Sequence, residues 1–187
     1  MPTHNSYGEY VASALTTFAY NKHLIDGSLV QLSDEQLHTP LASETNSVAV
    51  ILKHLSGNLL SRFSDFLMSD GEKPWRDRDD EFIDTFRSRQ EMIEYWDSAW
   101  NCLTVALGQL SDDDLLRIVT IRGEPHTVHQ AITRSLAHFA YHAGQIVMIS
   151  RILVGDAWQV LTIPRDGSRQ FNEQTWGSPQ FRPFTPE

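Results

Sequence analysis

The chain has 187 residues, 41% of them hydrophobic, and its 15 basic against 24 acidic side chains give a formal charge of −9. That length suits one domain, 1–187, with a sizeable core. The acidic balance repels phosphate backbones and argues against a nucleic-acid partner. Arg62, Arg76, Arg78, Arg87 and Arg89 are interleaved with acids, so no basic patch is expected. No stretch approaches the roughly 20 apolar residues that span a bilayer, and MPTHNSYGEY lacks the pattern of an export leader, so a soluble, cytoplasmic protein without membrane contact is expected. A single cysteine, Cys102, excludes an intramolecular disulfide and a thiolate metal cluster; among the apolar neighbours of its segment it reads as buried filler.

Four segments carry helical periodicity. The first runs from about Ser6 to Gln31, with Tyr10, Ala14, Phe18 and Ile25 inward, and breaks at Ser33-Asp34. The second runs from about Val48 to Met68, where Leu52, Leu55, Leu59, Phe63 and Phe66 repeat at spacings of three and four; Asn46 or Ser47 offers the N-cap. The third covers about Asp84 to Leu110, with Trp96, Trp100, Leu103 and Leu107 in its stripe. Leu116 to Ile121 is β-branched and precedes Arg122-Gly123, which predicts an extended piece or half of a small hairpin. Thr127 and Gln130 have capping-box spacing and open the fourth helix, which Gly155 stops.

These elements predict an all-α fold, a four-helix bundle. The link between the second and third helices, about sixteen residues, is long enough to return along the whole bundle as a crossover. The tail from Asp156 to Glu187 has no periodicity and is expected to be irregular, packed on the bundle as far as Trp176, with FRPFTPE frayed.

In the fourth helix His138 and His142 lie one turn apart on the shoulder of the apolar arc, beside Gln145. Two imidazoles at i and i+4 can reach one ion, yet the same spacing arises at any core boundary. His126 and His129, also close together, read as first-turn polarity. In the second helix His54, Asn58 and Asp65 form a polar line at the edge of the core stripe, with Arg62 between line and core. Such a line is costly unless its groups are bonded or face a cavity, which suggests a cleft between the second and fourth helices.

The segment His138-Phe139-Ala140-Tyr141-His142-Ala143-Gly144-Gln145, with Val50-Ile51-Leu52-Lys53-His54-Leu55 in the second helix, resembles the DinB-like superfamily of metalloenzymes, which includes bacillithiol transferases and mycothiol-dependent isomerases. The chain is most similar to a subgroup without an assigned activity, and Ile163 to Asn172 is similar to that subgroup as well. The resemblance implies a divalent metal ion, nickel or zinc, held by His54, His138 and His142, and a homodimer.

Three neutral ligands leave a position open for water or substrate, the pattern of a catalytic site. The resemblance implies activation of a low-molecular-weight thiol, or of water, for transfer to a small electrophilic substrate. Gln145 would orient a ligand or bound water, and Asn58 and Arg62 would line the way in. Tyr141 points about 100° away from His142 and reads as packing or surface. Two other classes stay open: a metal-assisted hydrolase, which needs a nearby carboxylate, Asp65 lying about three turns from His54; and a non-catalytic, metal-stabilised bundle in stress response or partner binding, whose fourth ligand would be His23.

Overall fold

The computed structural model describes residues 8–176, so the expected start of the first helix at Ser6 and the fraying of FRPFTPE lie outside the described residues. Four long helices make the bundle: α1 (Glu9–Gln31), α3 (Val48–Phe63), α4 (Arg89–Gly108) and α5 (Val128–Val154). A short α2 (Asp34–His38) follows α1, a two-stranded hairpin of β1 (Ile118–Ile121) and β2 (Glu124–Thr127) precedes α5, and α6 (Ser168–Thr175) lies in the tail.

Side-chain contacts fix the helix directions. Tyr10 meets Thr133 near the starts of α1 and α5, at 2.7 Å, and Gln31 bonds Gln159 beyond their ends, so these helices are parallel. Lys53 in α3 reaches Ile83 and Thr85 just ahead of α4, while Ser64 and Cys102 meet at 3.6 Å near the other end, so α3 and α4 are parallel too. Arg89 at the start of α4 donates to Leu29 O and Leu32 O at the end of α1, an antiparallel pair. Parallel neighbours need a crossover, and the link 64–88 supplies it.

That link is longer than the periodicity suggests. α3 stops at Phe63 instead of Met68 because Asp65 takes a positive φ of 48°, and α4 starts at Arg89 instead of Asp84, where Ser88 accepts a bond from Glu91 N. Phe66 is still buried, so the apolar spacing continues past the helix end and conceals the break. In the hairpin, Arg122 and Gly123 both take positive φ, 57° and 73°, the backbone of a tight two-residue turn matched to strand twist. The tail differs from its expectation as well. It contains α6, whose straight-chain polar residues favour helix without leaving an apolar stripe to read. α6 buries no residue and Trp176 is 83% exposed, so packing does not extend that far.

The core gathers Phe18, Trp96 and Phe139, with Trp96 stacked on Phe139 at 5.8 Å and Phe18 edge-on to it at 5.3 Å. The Trp96 indole still finds an acceptor, Asp26, at 2.9 Å. α3 runs through the middle of the molecule and is buried on nearly every side. Its polar residues, His54 and Asn58 among them, are therefore interior groups that need partners.

α5 begins with a complete capping box: Thr127 Oγ1 accepts from Gln130 N at 3.2 Å, and Gln130 Oε1 accepts from Thr127 N at 2.9 Å. Thr127→Ala is expected to cost about 1 kcal/mol in urea unfolding. A loss under a few tenths would mean that the hairpin alone holds the start of α5.

Candidate metal centre

α3 and α5 pack antiparallel and bring their histidines face to face. His54 Nε2 lies 3.1 Å from His138 Nε2, which lies 3.2 Å from His142 Nε2. The three candidate ligand atoms are all within 4.8 Å of one another. Nitrogens about 2.05 Å from one ion would be separated by about 2.9 Å along an octahedral edge and about 3.3 Å along a tetrahedral one. The two short separations fall in that interval, so His138 is placed to share one divalent cation with His54 and with His142, and the three together form a donor set that could hold such an ion.

Partners on the far side of two rings set which nitrogen faces inward. His54 Nδ1 donates to Glu81 Oε2 at 2.9 Å, and His142 Nδ1 donates to Gln145 Oε1 at 2.7 Å. Each ring then turns an Nε2 lone pair toward His138, the orientation that metal-binding histidines are usually given by such partners. Gln145 is itself held by a bond from its Nε2 to the Tyr141 hydroxyl, at 3.1 Å. Tyr141, expected only to pack or face solvent, is exposed but closes this outer chain.

Glu81 comes from a turn of 3-10 helix, Asp80–Phe82, in the crossover. Lys53 anchors that turn to α3 through Asp80 O, Asp80 Oδ2, Ile83 O and Thr85 Oγ1, all within 3.0 Å. Neighbours thus pair with neighbours, Lys53 with Asp80 and His54 with Glu81. Gly57 makes the approach possible, because a Cβ there would sit 2.2 Å from Glu81 Oε1. Arg76 grips the same carboxylate with Nε at 2.7 Å and Nη2 at 2.9 Å. Burial would raise the Glu81 carboxyl, but the bonds from His54 and Arg76 outweigh it and hold it below the usual carboxylate range.

Burial, and then the neighbouring His142 and His54, push the His138 ring from 6.5 down to about 3. Burial also lowers His142, against the opposing bond to Gln145. Both rings are therefore neutral near pH 7, the form that binds metal. In metal-free protein the unfolded chain binds more protons than the folded one between pH 3 and 6.5, so stability rises with pH there and is lost as pH falls through that window. Melting temperature after chelation is expected to drop between about pH 6.5 and 5, above the range where carboxylates contribute. His138→Ala should flatten that drop; an unchanged slope in the variant would clear His138 of responsibility.

A cavity of about 160 Å3 opens against His54 and His138, and Asn58 and Arg62 are among its lining residues. Arg62 is buried and bonds Gly71 O and, at 3.4 Å, Glu72, so it is no surface ion-pair partner. Asp65 is exposed beyond the end of α3, and the exposed His23 of α1 is not in the cluster. Cys102 is half-buried beside Ser64 instead of fully enclosed. Among the described residues no helix is long and apolar enough to cross a membrane.

Sequence reasoning missed Glu81 and, apart from Arg62, the arginines of the cavity. Gly57, in mid-helix one turn beyond His54, was the available signal that another group comes close there. Nothing in the spacing of the arginines announces their meeting.

The family described as "Protein of unknown function (DUF1572)" matches residues 5–167. A structure titled "Crystal structure of the conserved protein of locus from Enterococcus faecalis" superposes with a TM-score of 0.60 at 14% identity, over 78% of this chain and 97% of that one. At that identity the likeness shows the fold. No curated protein matches the chain.

Proposed function

The chain belongs to the DUF1572 family, whose description assigns no activity, and on the strength of its own site we propose that it is a metal-dependent enzyme acting on a small electrophilic substrate. The observation that carries this reading is the convergence of His54, His138 and His142 beside a cavity, with no fourth protein ligand among the described residues. A structural site would close its coordination with such a ligand. The similarity of the helix motif to DinB-like enzymes, in which nickel or zinc is expected, supports the same reading.

A divalent cation held there would supply Lewis acidity, favouring the deprotonated form of a thiol or water at its open position. The remaining work falls to the chain. Glu81 and Gln145 hold the His54 and His142 rings in place, and Tyr141 steadies Gln145. Asn58 is 9% exposed, its side chain has no hydrogen-bond partner among the described residues, and it lines the cavity, where its amide is available to polar parts of a substrate. A thiol sulfur would attack carbon as the bond to chloride or epoxide oxygen breaks, with the thiol proton passing to solvent.

A hydrolase would want a carboxylate base beside the open position. None of the described carboxylates lines the cavity, and both oxygens of Glu81 are already engaged by His54 and Arg76. Transfer to a thiol is therefore favoured over hydrolysis. Thiol-dependent consumption of a chlorinated or epoxide probe, abolished by chelator, is the expected result. Cleavage of ester or amide probes without thiol would move the assignment to hydrolysis, and silence in both assays together with a large chelator effect on melting would leave a metal-stabilised bundle.

A further inference from the structure

The cavity beside the histidines is lined by Arg62, Arg76, Arg78, Arg122 and Arg134, and by no acidic residue. They come from α3, the crossover, the hairpin turn and α5, so a concentration of positive charge is assembled in a chain whose net charge is −9. This corrects the expectation of no basic patch, which rested on Arg62, Arg76, Arg78, Arg87 and Arg89 being interleaved with acids in the sequence. Glu72 is the main counter-charge, 2.9 Å from Arg122 and 3.4 Å from Arg62, while Glu81 takes two bonds from Arg76. These two acids are the ion-pair partners of the five bases, and Asp70 stands at the edge of the group, accepting from the Arg122 and Gly123 amides.

Several donors there have no acceptor among the described residues. Arg76, its side chain 2% exposed, keeps Nη1 without a hydrogen bond, with Glu72 only at 3.6 Å. Arg134 has no ion pair, and Arg78 has only the face of Phe82, 5.5 Å away. Ser135 is 7% exposed, lines the same cavity and makes no side-chain hydrogen bond among the described residues. Arg78 and Arg134 are exposed, but Arg76 Nη1 is a buried donor of the kind rarely left unpartnered, and guanidinium groups match the geometry of oxyanions. The cavity is smaller than the roughly 300–1,000 Å3 that encloses a whole drug-sized ligand. It suits the charged end of one.

The geometry points to an oxyanion subsite: the arginine cavity binds a carboxylate or phosphate group of the substrate or thiol, and thereby presents the rest of that molecule to the histidine cluster. That the anion belongs to a reacting molecule rests on the enzymatic reading above. The subsite itself rests on the arginines and is tested without turnover. The field of such a pocket would also draw anionic molecules toward a protein whose overall charge repels them.

Inorganic phosphate and succinate, titrated calorimetrically at low ionic strength into the full chain after chelation, test the subsite with the metal removed from the readout. Saturable binding tighter than about 10 mM is expected for at least one of them, and a preference between the two identifies the oxyanion. Arg134→Ala, on an exposed and unpaired side chain, should weaken binding about tenfold, and adding Arg78→Ala should weaken it further. Arg151→Ala, exposed on the same helix outside the cavity, should leave it unchanged. Absence of saturation, equal weakening by Arg134→Ala and Arg151→Ala, or binding confined to metal-loaded protein would each overturn the subsite. Metal content is measured on the same samples, so loss of the enzymatic reading with anion binding intact is a distinct result.

Discussion

Protein carrying His138→Ala is expected to retain less than about a tenth of the metal bound by the unaltered chain after identical loading and desalting. His138 is the central ring of the cluster, with its Nε2 within 3.2 Å of both other Nε2 atoms, so its removal leaves His54 and His142 without the nitrogen that bridges them. Two imidazoles with water hold a divalent ion far less firmly than three. Nearby histidines should not compensate: His129→Ala, on an exposed ring packed at a tilt against Tyr10, is expected to keep full metal content. The His138→Ala chain should fold, because the ring is only partly buried and the Phe139 core contact beside it is untouched. Equal metal content in the two variants would show that the ion binds elsewhere, and the proposed chemistry would go with it.

A second large effect is expected at Glu81, a residue that no metal touches. The Arg76 side chain is 2% exposed and that of Glu81 6%, and two bonds join them. Glu81→Ala leaves the guanidinium buried opposite a void, which costs about 3–5 kcal/mol in similar cases. It also frees His54 Nδ1, so metal affinity should fall about 10- to 100-fold. Glu81→Gln separates the two consequences. The amide keeps an acceptor for one partner but removes the charge, so the folded protein should survive with weakened metal binding even where the alanine variant does not fold. Unfolding of Glu81→Ala within about 1 kcal/mol of the unaltered chain would mean that Arg76 escapes to solvent, and that the turn at Asp80–Phe82 does not hold His54 in place.

The crossover that delivers Glu81 was legible as a length but not as a path. Sixteen or more residues between two helices announce that the chain travels, and the parallel arrangement of α3 and α4 is what that travel achieves. Where it touches α3 depends on Lys53, which is buried with four acceptors, a role that nothing in the sequence analysis assigned to it. The end of α3 was misplaced for a similar reason: Phe66 continues the apolar spacing, while the positive φ of Asp65 has already ended the helix.

Only the resemblance, and not spacing, joined His54 to the pair of His138 and His142; by itself the sequence determined the four long helices, the capping box that starts α5 and the one-turn spacing of that pair. These follow from local periodicity and from short-range geometry, which a linear chain records directly. Only the tertiary structure decided that Glu81 and Gln145 set the ring orientations, that α3 is buried on nearly all sides, and that five scattered arginines surround one cavity. Charges in sequence are neutralised on paper by whichever acids stand next to them. In the folded molecule an arginine answers to what is near in space, and around this cavity five arginines have only Glu72 and Glu81 as ion-pair partners.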